Sequence, residues 1–246
     1  MDALTELTES NRGKLARLEE KLSYVFRDRR LLQLALLHRS FSFEQVRRLT
    51  SDNERLEFLG DAVLDLVVGR AIFELYPEMR EGDMTRLRAL LVNESYLAEM
   101  ATTLGLGEFL LLGRGEETTQ GRAKPSILSS AYEAVLGALF QDGGFEIAAA
   151  FIDHQFLPVL DSQRLRLRQA DAKSHLQEVL QESFSEAPAY VLDSAEGPDH
   201  RKTFLVSVCF RGVVLAQGQA FSKKEAEQAA AAEALRRLPE LGLLPV

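Results

Sequence analysis

The chain has 246 residues, 46% of them hydrophobic, enough to bury a core in one large or two modest domains. Its 29 Lys plus Arg against 37 Asp plus Glu give a formal charge of -8, which argues against indiscriminate binding to nucleic acid or an anionic membrane, so charge has to be read locally. One cysteine, Cys209, excludes an internal disulfide and a multi-thiolate zinc site, while a polar amino terminus and the lack of any apolar run near ~20 residues argue against a signal peptide or a membrane span. The expectation is a cytoplasmic protein with no membrane partner.

From residue 14 to about 160, apolar residues recur at helical spacing in segments near 28–37, 53–75, 81–104, 125–141 and 145–160. Tyr76-Pro77 closes the second segment, and Gly105-Leu106-Gly107 and Gly113-Arg114-Gly115 open a polar stretch that runs to Pro125. Gly143-Gly144 separates the last two helices. Residues 1–160 therefore read as an all-α domain. At 161–170 the sequence DSQRLRLRQA loses periodicity and reads as a linker. Beyond it, 171–183 is predicted helical, 189–194, 203–210 and 213–219 form short strands with Val206, Val208 and Phe210 alternating, and 222–238 is an alanine-rich helix. Residues 171–246 are thus an α+β domain of order α-β-β-β-α.

On a wheel at ~100° per residue, Leu56, Leu59, Val63, Leu66 and Val67 of NERLEFLGDAVLDLVVGR (53–70) fall on one side, the predicted core side. Glu54, Glu57, Asp61 and Asp65 fall on the other, with no Lys or Arg among them. Like charges at i,i+4 cost roughly 0.2–0.5 kcal/mol per pair. A solvated acidic face is one reading. The other is a divalent cation that removes the repulsion, since hard oxygen ligands suit Mg²⁺ or Mn²⁺. In PSILSSAYEAVLGALF, Ser126, Ser129, Ser130 and Gly137 share a side with Glu133, and small residues there permit close helix approach; taken alone, Glu133 reads equally as a surface glutamate. Glu81 begins a helix, where a carboxylate is favoured by the macrodipole, so capping competes with a catalytic role. His38, His154, His175 and His200 form no HExxH, and neither G-x-S-x-G nor a P-loop is present, which leaves serine-hydrolase and NTPase readings unsupported.

The second domain carries 8 Lys plus Arg against 11 Asp plus Glu. Its basic feature is local. Lys223 and Lys224 open the last helix after Ser222, which forms an S-x-x-E capping box with Glu225. Lysines at a helix N-terminus oppose the macrodipole unless an anion sits there, so the pair reads as a phosphate site or as a solvated edge. Cys209 alternates with Val208 and Phe210 as a small apolar residue.

NERLEFLGDAVL (53–64) resembles the signature stretch of bacterial ribonuclease III, and HRS (38–40), EGDMTRLRALLVN (81–93), LGLGEFLLLGRGEE (104–117) and SILSSAYEAVLGALFQD (126–142) resemble the same family in the same order. LQEVL (176–180), GPDHRKTF (197–204) and FSKKEAEQAAAAEAL (221–235) resemble a double-stranded-RNA-binding domain. The resemblance implies a helical endonuclease domain that, as a homodimer, cuts double-stranded RNA with Mg²⁺. The ends would be 5′-phosphate and 3′-hydroxyl with a short 3′ overhang, and precursor rRNA is the expected target. It implies Glu57, Asp61 and Glu133 as metal-binding carboxylates, Glu54 and Glu81 nearer the RNA, and Phe58 in a pocket of the partner subunit. It also implies Gln177 and Glu178 at minor-groove hydroxyls, His200 in the next minor groove, and Lys223 and Lys224 at phosphates. At Ser130 the chain departs from the family, which commonly has aspartate there. Glu227 stands where many such domains have a third lysine. A double-stranded-RNA-binding protein with a weakened nuclease domain is the alternative that Ser130 raises.

Overall fold

The computed structural model describes residues 2–44, 51–170, 172–198 and 201–242, and the chain divides into two units, Met1–Leu160 and Asp161–Val246. Helices of the first unit are α1 (Ala3–Ser10), α2 (Arg12–Leu22), α3 (Arg29–Ala35), α4 (Arg39–Glu44), α5 (Glu54–Leu75), α6 (Glu81–Leu91), α7 (Glu94–Leu104), α8 (Arg114–Thr118) and α9 (Pro125–Gly143), followed by α10 (Phe145–Ala170). Local chemistry sets their ends. Pro125 opens α9 where its missing N–H has no helical partner to lose. Gly144, at φ 82, separates α9 from α10 in a conformation that glycine adopts without strain. Segment 81–104 is two helices rather than one, because the Asn93 side chain accepts the Tyr96 N–H at 3.0 Å and starts α7. Two helices, α1 and α2, lie in the polar amino-terminal region where no element was predicted before residue 14.

The polar segment 161–170, read from its lost periodicity as a linker, is helical and completes α10. Arg, Gln and Leu carry good intrinsic helix propensity, and a helix needs no apolar stripe to persist once its preceding turns are packed. No helix among the described residues is long and apolar enough to cross a membrane.

Helices α5 and α9 touch backbone to backbone. A Cβ on Gly60 would fall 1.8 Å from the Glu133 carbonyl oxygen, and one on Gly137 would fall 2.1 Å from that of Leu56. Residue 56 therefore meets 137 while 60 meets 133, so the two helices run antiparallel. Val63, Leu64, Val67, Val68 and Ile72 of α5 and Ala131, Ala134, Val135 and Ala138 of α9 are all buried. The wheel placed Leu56, Val63 and Val67 correctly. Leu66 is instead 60% exposed, and Leu59 is half-buried, because the buried arc is centred on Gly60, Leu64 and Val67 rather than on the apolar residues alone. That rotation puts the acidic residues beside the core instead of opposite it.

Asp142, at the end of α9, fastens the turn between α2 and α3 by accepting from Tyr24 Oη, Arg27 N and Asp28 N, each at 2.8 Å. Asn53, 3% exposed, ties the start of α5 to the end of α3, donating its side-chain Nδ2–H to Ala35 O at 3.4 Å and its backbone N–H to Leu37 O, just past α3, at 2.9 Å.

The second unit contains α11 (Ala172–Phe184), β1 (Ala189–Glu196), β2 (Thr203–Phe210), β3 (Val213–Ala220) and α12 (Lys223–Arg237). The strands form one antiparallel sheet in the order β1-β2-β3, which gives the predicted α-β-β-β-α arrangement. Val206, Val208 and Phe210 are buried; Cys209 alternates to the other face, opposite Val214. A Cβ on Gly218 would fall 2.1 Å from Ala230 N, so glycine in β3 and small Ala226, Ala230, Ala231 and Ala234 in α12 together explain the alanine run.

Gly137→Ala should therefore lower stability by about 1–3 kcal/mol through overpacking at the α5–α9 contact. Gly13→Ala, where nothing lies within 4 Å, should be neutral or stabilising because alanine is the better helix former. Urea midpoints of the two variants check this, and equal midpoints would remove the claim that α5 and α9 depend on their glycines.

Candidate active site

Helix α5 repeats acids every four residues, Glu57, Asp61 and Asp65, along the edge that borders α9. The Gly60–Gly137 contact then brings Glu133 of α9 alongside Asp61. Glu57, Asp65 and Glu133 are half-buried. Among the described residues, Glu57, Asp61 and Glu133 accept no hydrogen bond and no ion pair. Asp65 has a cation nearby, with Arg88 Nε 3.8 Å from its Oδ1, too long for a hydrogen bond.

The electrostatic consequence is large. Burial first, then the charges of Asp61, Glu57 and Asp65, push the Glu133 carboxyl up to about 8. Partial burial and then the Asp65 charge raise Asp61 as well. The cleft thus holds more negative charge than it stabilises. Among the described residues no three His, Cys, Asp or Glu side chains converge as a closed ligand cluster. Carboxylates without a cation between them repel, and Mg²⁺ keeps several waters and needs only one or two carboxylates directly. Hard oxygen donors in uncompensated excess fit a hydrated divalent cation.

The other predicted site residues spread along the helix. Glu54 is exposed one turn before Glu57 and pairs with Arg39 at 3.5 Å. Glu81 accepts from Thr85 Oγ1 at 3.1 Å and lines a pocket of about 340 Å³ with Gly69, Phe73, Met84 and Arg88. At ~1.5 Å per residue, Gly69 lies roughly 18 Å along α5 from Glu57, so a single chain does not bring Glu81 beside Glu57. Ser130 is half-buried, one turn before Glu133 on α9. Phe58 is 80% exposed, so it takes no part in the core of this chain.

HRS (38–40) has a structural part. His38 Nδ1 lies 2.8 Å from Ser40 Oγ, Ser40 Oγ accepts the Gly113 N–H at 2.9 Å, and Glu44 accepts the Arg114 N–H at 2.7 Å. Burial lowers the His38 imidazole. The motif pins the loop that carries Gly113-Arg114-Gly115.

In the second unit Gln177 is exposed and Glu178 half-buried on α11, and Lys223 and Lys224 are exposed in the first turn of α12. Ser222 Oγ accepts the Glu225 N–H at 3.2 Å, as the capping signal predicts. His200 lies outside the described residues. Sequence reasoning did not find the partner of Glu227, which accepts from Lys173 Nζ at 2.6 Å. Lys173 shares a face of α11 with Gln177, and Glu227 shares a face of α12 with Lys223, each at i,i+4. The ion pair therefore joins the two predicted RNA-facing surfaces, and only the contact between helices reveals it.

A helical unit with carboxylates gathered at a helix crossing, followed by an α-β-β-β-α unit with lysines at a helix start, defines a nuclease joined to a nucleic-acid-binding domain. Comparison with known proteins agrees. Residues 28–160 match the Ribonuclease-III-like family and residues 172–238 the double-stranded RNA binding motif. The chain is 56% identical over 236 residues to "Ribonuclease 3" of Desulfotalea psychrophila, covering 96% of this chain and 98% of that one. It is 47% identical over 225 residues to "Ribonuclease 3" of Syntrophotalea carbinolica, covering 92% and 97%. The solved nuclease domain of ribonuclease III from Campylobacter jejuni, described as flexible in a region involved in dimer formation, matches with a TM-score of 0.53 at 47% identity, over 57% of this chain and 97% of that one. The chain belongs to the ribonuclease III family and is an endoribonuclease with a double-stranded-RNA-binding domain.

Glu133 also gives a pH signature. Its carboxyl sits at about 8 in the folded chain against 4.5 as the ordinary value. Below the lower value it is protonated in both states. Between the two, the unfolded chain gives up a proton that the folded chain keeps, so its contribution to stability falls as pH rises and is lost above the upper value. Glu133→Gln escapes this loss. In EDTA, the urea midpoint of Glu133→Gln minus that of wild type should grow from about pH 5 to about pH 9; a flat difference would contradict the charge crowding described.

Proposed function

We propose that the chain cuts double-stranded RNA as a homodimer, with Mg²⁺ held by Glu57, Asp61 and Glu133, and Mn²⁺ as a substitute. The observation that carries this reading is the set of three unpartnered carboxylates at the α5–α9 crossing, one of them driven toward neutrality by burial and then by the charges beside it. When bound, the cation supplies an activated water and neutralises charge developing at the scissile phosphate. The chain's own residues do the rest. Glu133, its proton released to solvent, would join Glu57 and Asp61 as a ligand, and the packing of α5 against α9 fixes all three in place. Glu54 and Glu81 act nearer the RNA. Ser130 adds a hydroxyl and no charge.

In the second unit, Gln177 and Glu178 suit 2′-hydroxyls of the shallow minor groove, His200 the next minor groove, and Lys223 and Lys224 the phosphates across the major groove. The Lys173–Glu227 pair holds the two helices that present these groups. Products with 5′-phosphate and 3′-hydroxyl ends and short 3′ overhangs, a cytoplasmic location, and precursor rRNA and other structured RNAs, including mRNA, as targets complete the reading.

Support for a homodimer comes from a third face of α5. Phe58, Ala62, Leu66, Gly69 and Phe73 follow one another at spacings of four, four, three and four, and Phe58, Leu66 and Phe73 are 80%, 60% and 69% exposed. Such a stripe along one helix is a partner surface rather than scattered apolar exposure. Twofold antiparallel pairing of this face sets Phe58 of one copy near the Phe73 end of the other, beside the pocket of Gly69, Phe73 and Met84.

A long RNA duplex incubated with wild type should be cut in Mg²⁺ and left intact in EDTA. Glu133→Gln should lose cleavage by at least about a hundredfold while still binding the duplex. Intact duplex with bound wild-type protein in Mg²⁺ would favour the binding-only reading.

Phe58→Asp should shift the protein to monomer, because pairing would desolvate a charge. Sedimentation of the folded variant checks this, and a folded variant that stays wholly dimeric would remove Phe58 from the interface.

A further inference from the structure

The antiparallel contact between α5 and α9 sets a register for charge. A Cβ on Gly60 would meet both Glu133 O and Gly137 N, and one on Gly137 both Leu56 O and Gly60 N, so Gly60 stands level with about residue 135 and Gly137 with about residue 58. Along antiparallel helices of equal rise, Asp61 then stands within about one residue of Glu133, and Asp65 stands level with Ser130. At the first level each helix contributes a carboxylate. At the second, α9 contributes hydroxyls only: Ser129 turns its hydroxyl back to Ser126 O at 3.1 Å, and Ser130 carries no charge. The negative charge at that level comes from α5.

We infer that Asp65 belongs to the cation-binding carboxylate set of this chain and supplies, from α5, the charge that Ser130 does not supply from α9. The inference rests on the metal-dependent reading above and names one more residue of that site. Three observations carry it. Asp65 continues the Glu57, Asp61 row by one helical turn on the edge facing α9. It is half-buried there, close enough for its charge to act on both Asp61 and Glu133. Its partner Arg88 is held at 3.8 Å, outside hydrogen-bond range, so the carboxylate oxygens keep their capacity to accept from a hydrated cation. A guanidinium at that distance balances charge while the cation is away and lies on α6, a separate helix that does not share the α5–α9 contact.

The arrangement differs from a site with carboxylates paired across both levels. Here the row on α5 does most of the holding and α9 contributes one acid. Position 65 should then be interchangeable with position 130: a carboxylate restored on α9 should compensate for one removed from α5.

The test is Mn²⁺ binding to the full chain without RNA, followed by electron paramagnetic resonance of free Mn²⁺, in wild type, Asp65→Asn, Ser130→Asp, the double variant, Arg88→Ala and Asp61→Asn. Asp65→Asn should weaken binding roughly three- to tenfold, the effect of one charge several ångströms from the ion in a partly solvated cleft. Ser130→Asp placed on Asp65→Asn should restore most of that loss. Arg88→Ala should not weaken binding, since it removes a competing cation. Wild-type affinity in Asp65→Asn would overturn the inference. So would equal weakening by Arg88→Ala, which would make Asp65 a holder of Arg88, or a double variant no better than Asp65→Asn. A failure of the underlying reading looks different: wild type itself would bind no Mn²⁺, or Asp61→Asn would bind it unchanged.

Discussion

Backbone contact between α5 and α9 at Gly60 and Gly137 is the constraint on which the rest of the first unit depends. Side chains of ordinary size hold helix axes 8–10 Å apart, and a Cβ at either glycine would overlap a carbonyl of the other helix. With both absent, a main-chain turn of α9 sits in a groove of α5, and the acids flanking Gly60 come up beside Glu133. The same contact fixes rotation. It turns Gly60, Leu64 and Val67 inward, leaves Glu57, Asp61 and Asp65 along the border of the core, and sends Phe58, Leu66 and Phe73 to the outside. One helix thereby carries three faces: one packs in the core, one is proposed to bind a cation, and one is proposed to pair with a second copy.

Placing carboxylates at the border of a core is costly, since burial and like charge both oppose ionisation. The cost shows as a Glu133 carboxyl lifted to about 8. A folded chain that accepts this loses some stability near neutral pH and holds crowded negative charge that a divalent cation would relieve. The second unit handles charge in the opposite way. It is acidic as a whole, yet its exposed lysines stand at the start of α12 while Glu227 is turned aside to Lys173, so local charge at the helix start is positive where phosphates would lie.

Much of this was legible in the residues. The α5 acids, the small residues around Glu133, the capping serine at 222 and the alternation of Val206, Val208 and Phe210 each carry a periodicity that survives folding. What was not legible depends on glycine and on contact across elements. The wheel assigned Leu66 to the core because it weights apolar side chains, and Gly60, which has none, was invisible to it. Residues 161–170 lost their apolar period without losing helix propensity. Asp142, Asn53 and the Lys173–Glu227 pair act across long sequence separations, where composition and spacing carry no signal. Asp65 lay in the predicted acidic row, but only the register with α9 sets it level with Ser130.

The most direct measurement is an anomalous difference map from crystals of the full chain soaked in Mn²⁺. A peak is expected between α5 and α9, with carboxylate oxygens of Glu57, Asp61 or Glu133 within about 2.0–2.3 Å and water completing the shell. Peaks confined to other acidic surfaces, with these three carboxylates left unligated, would contradict it.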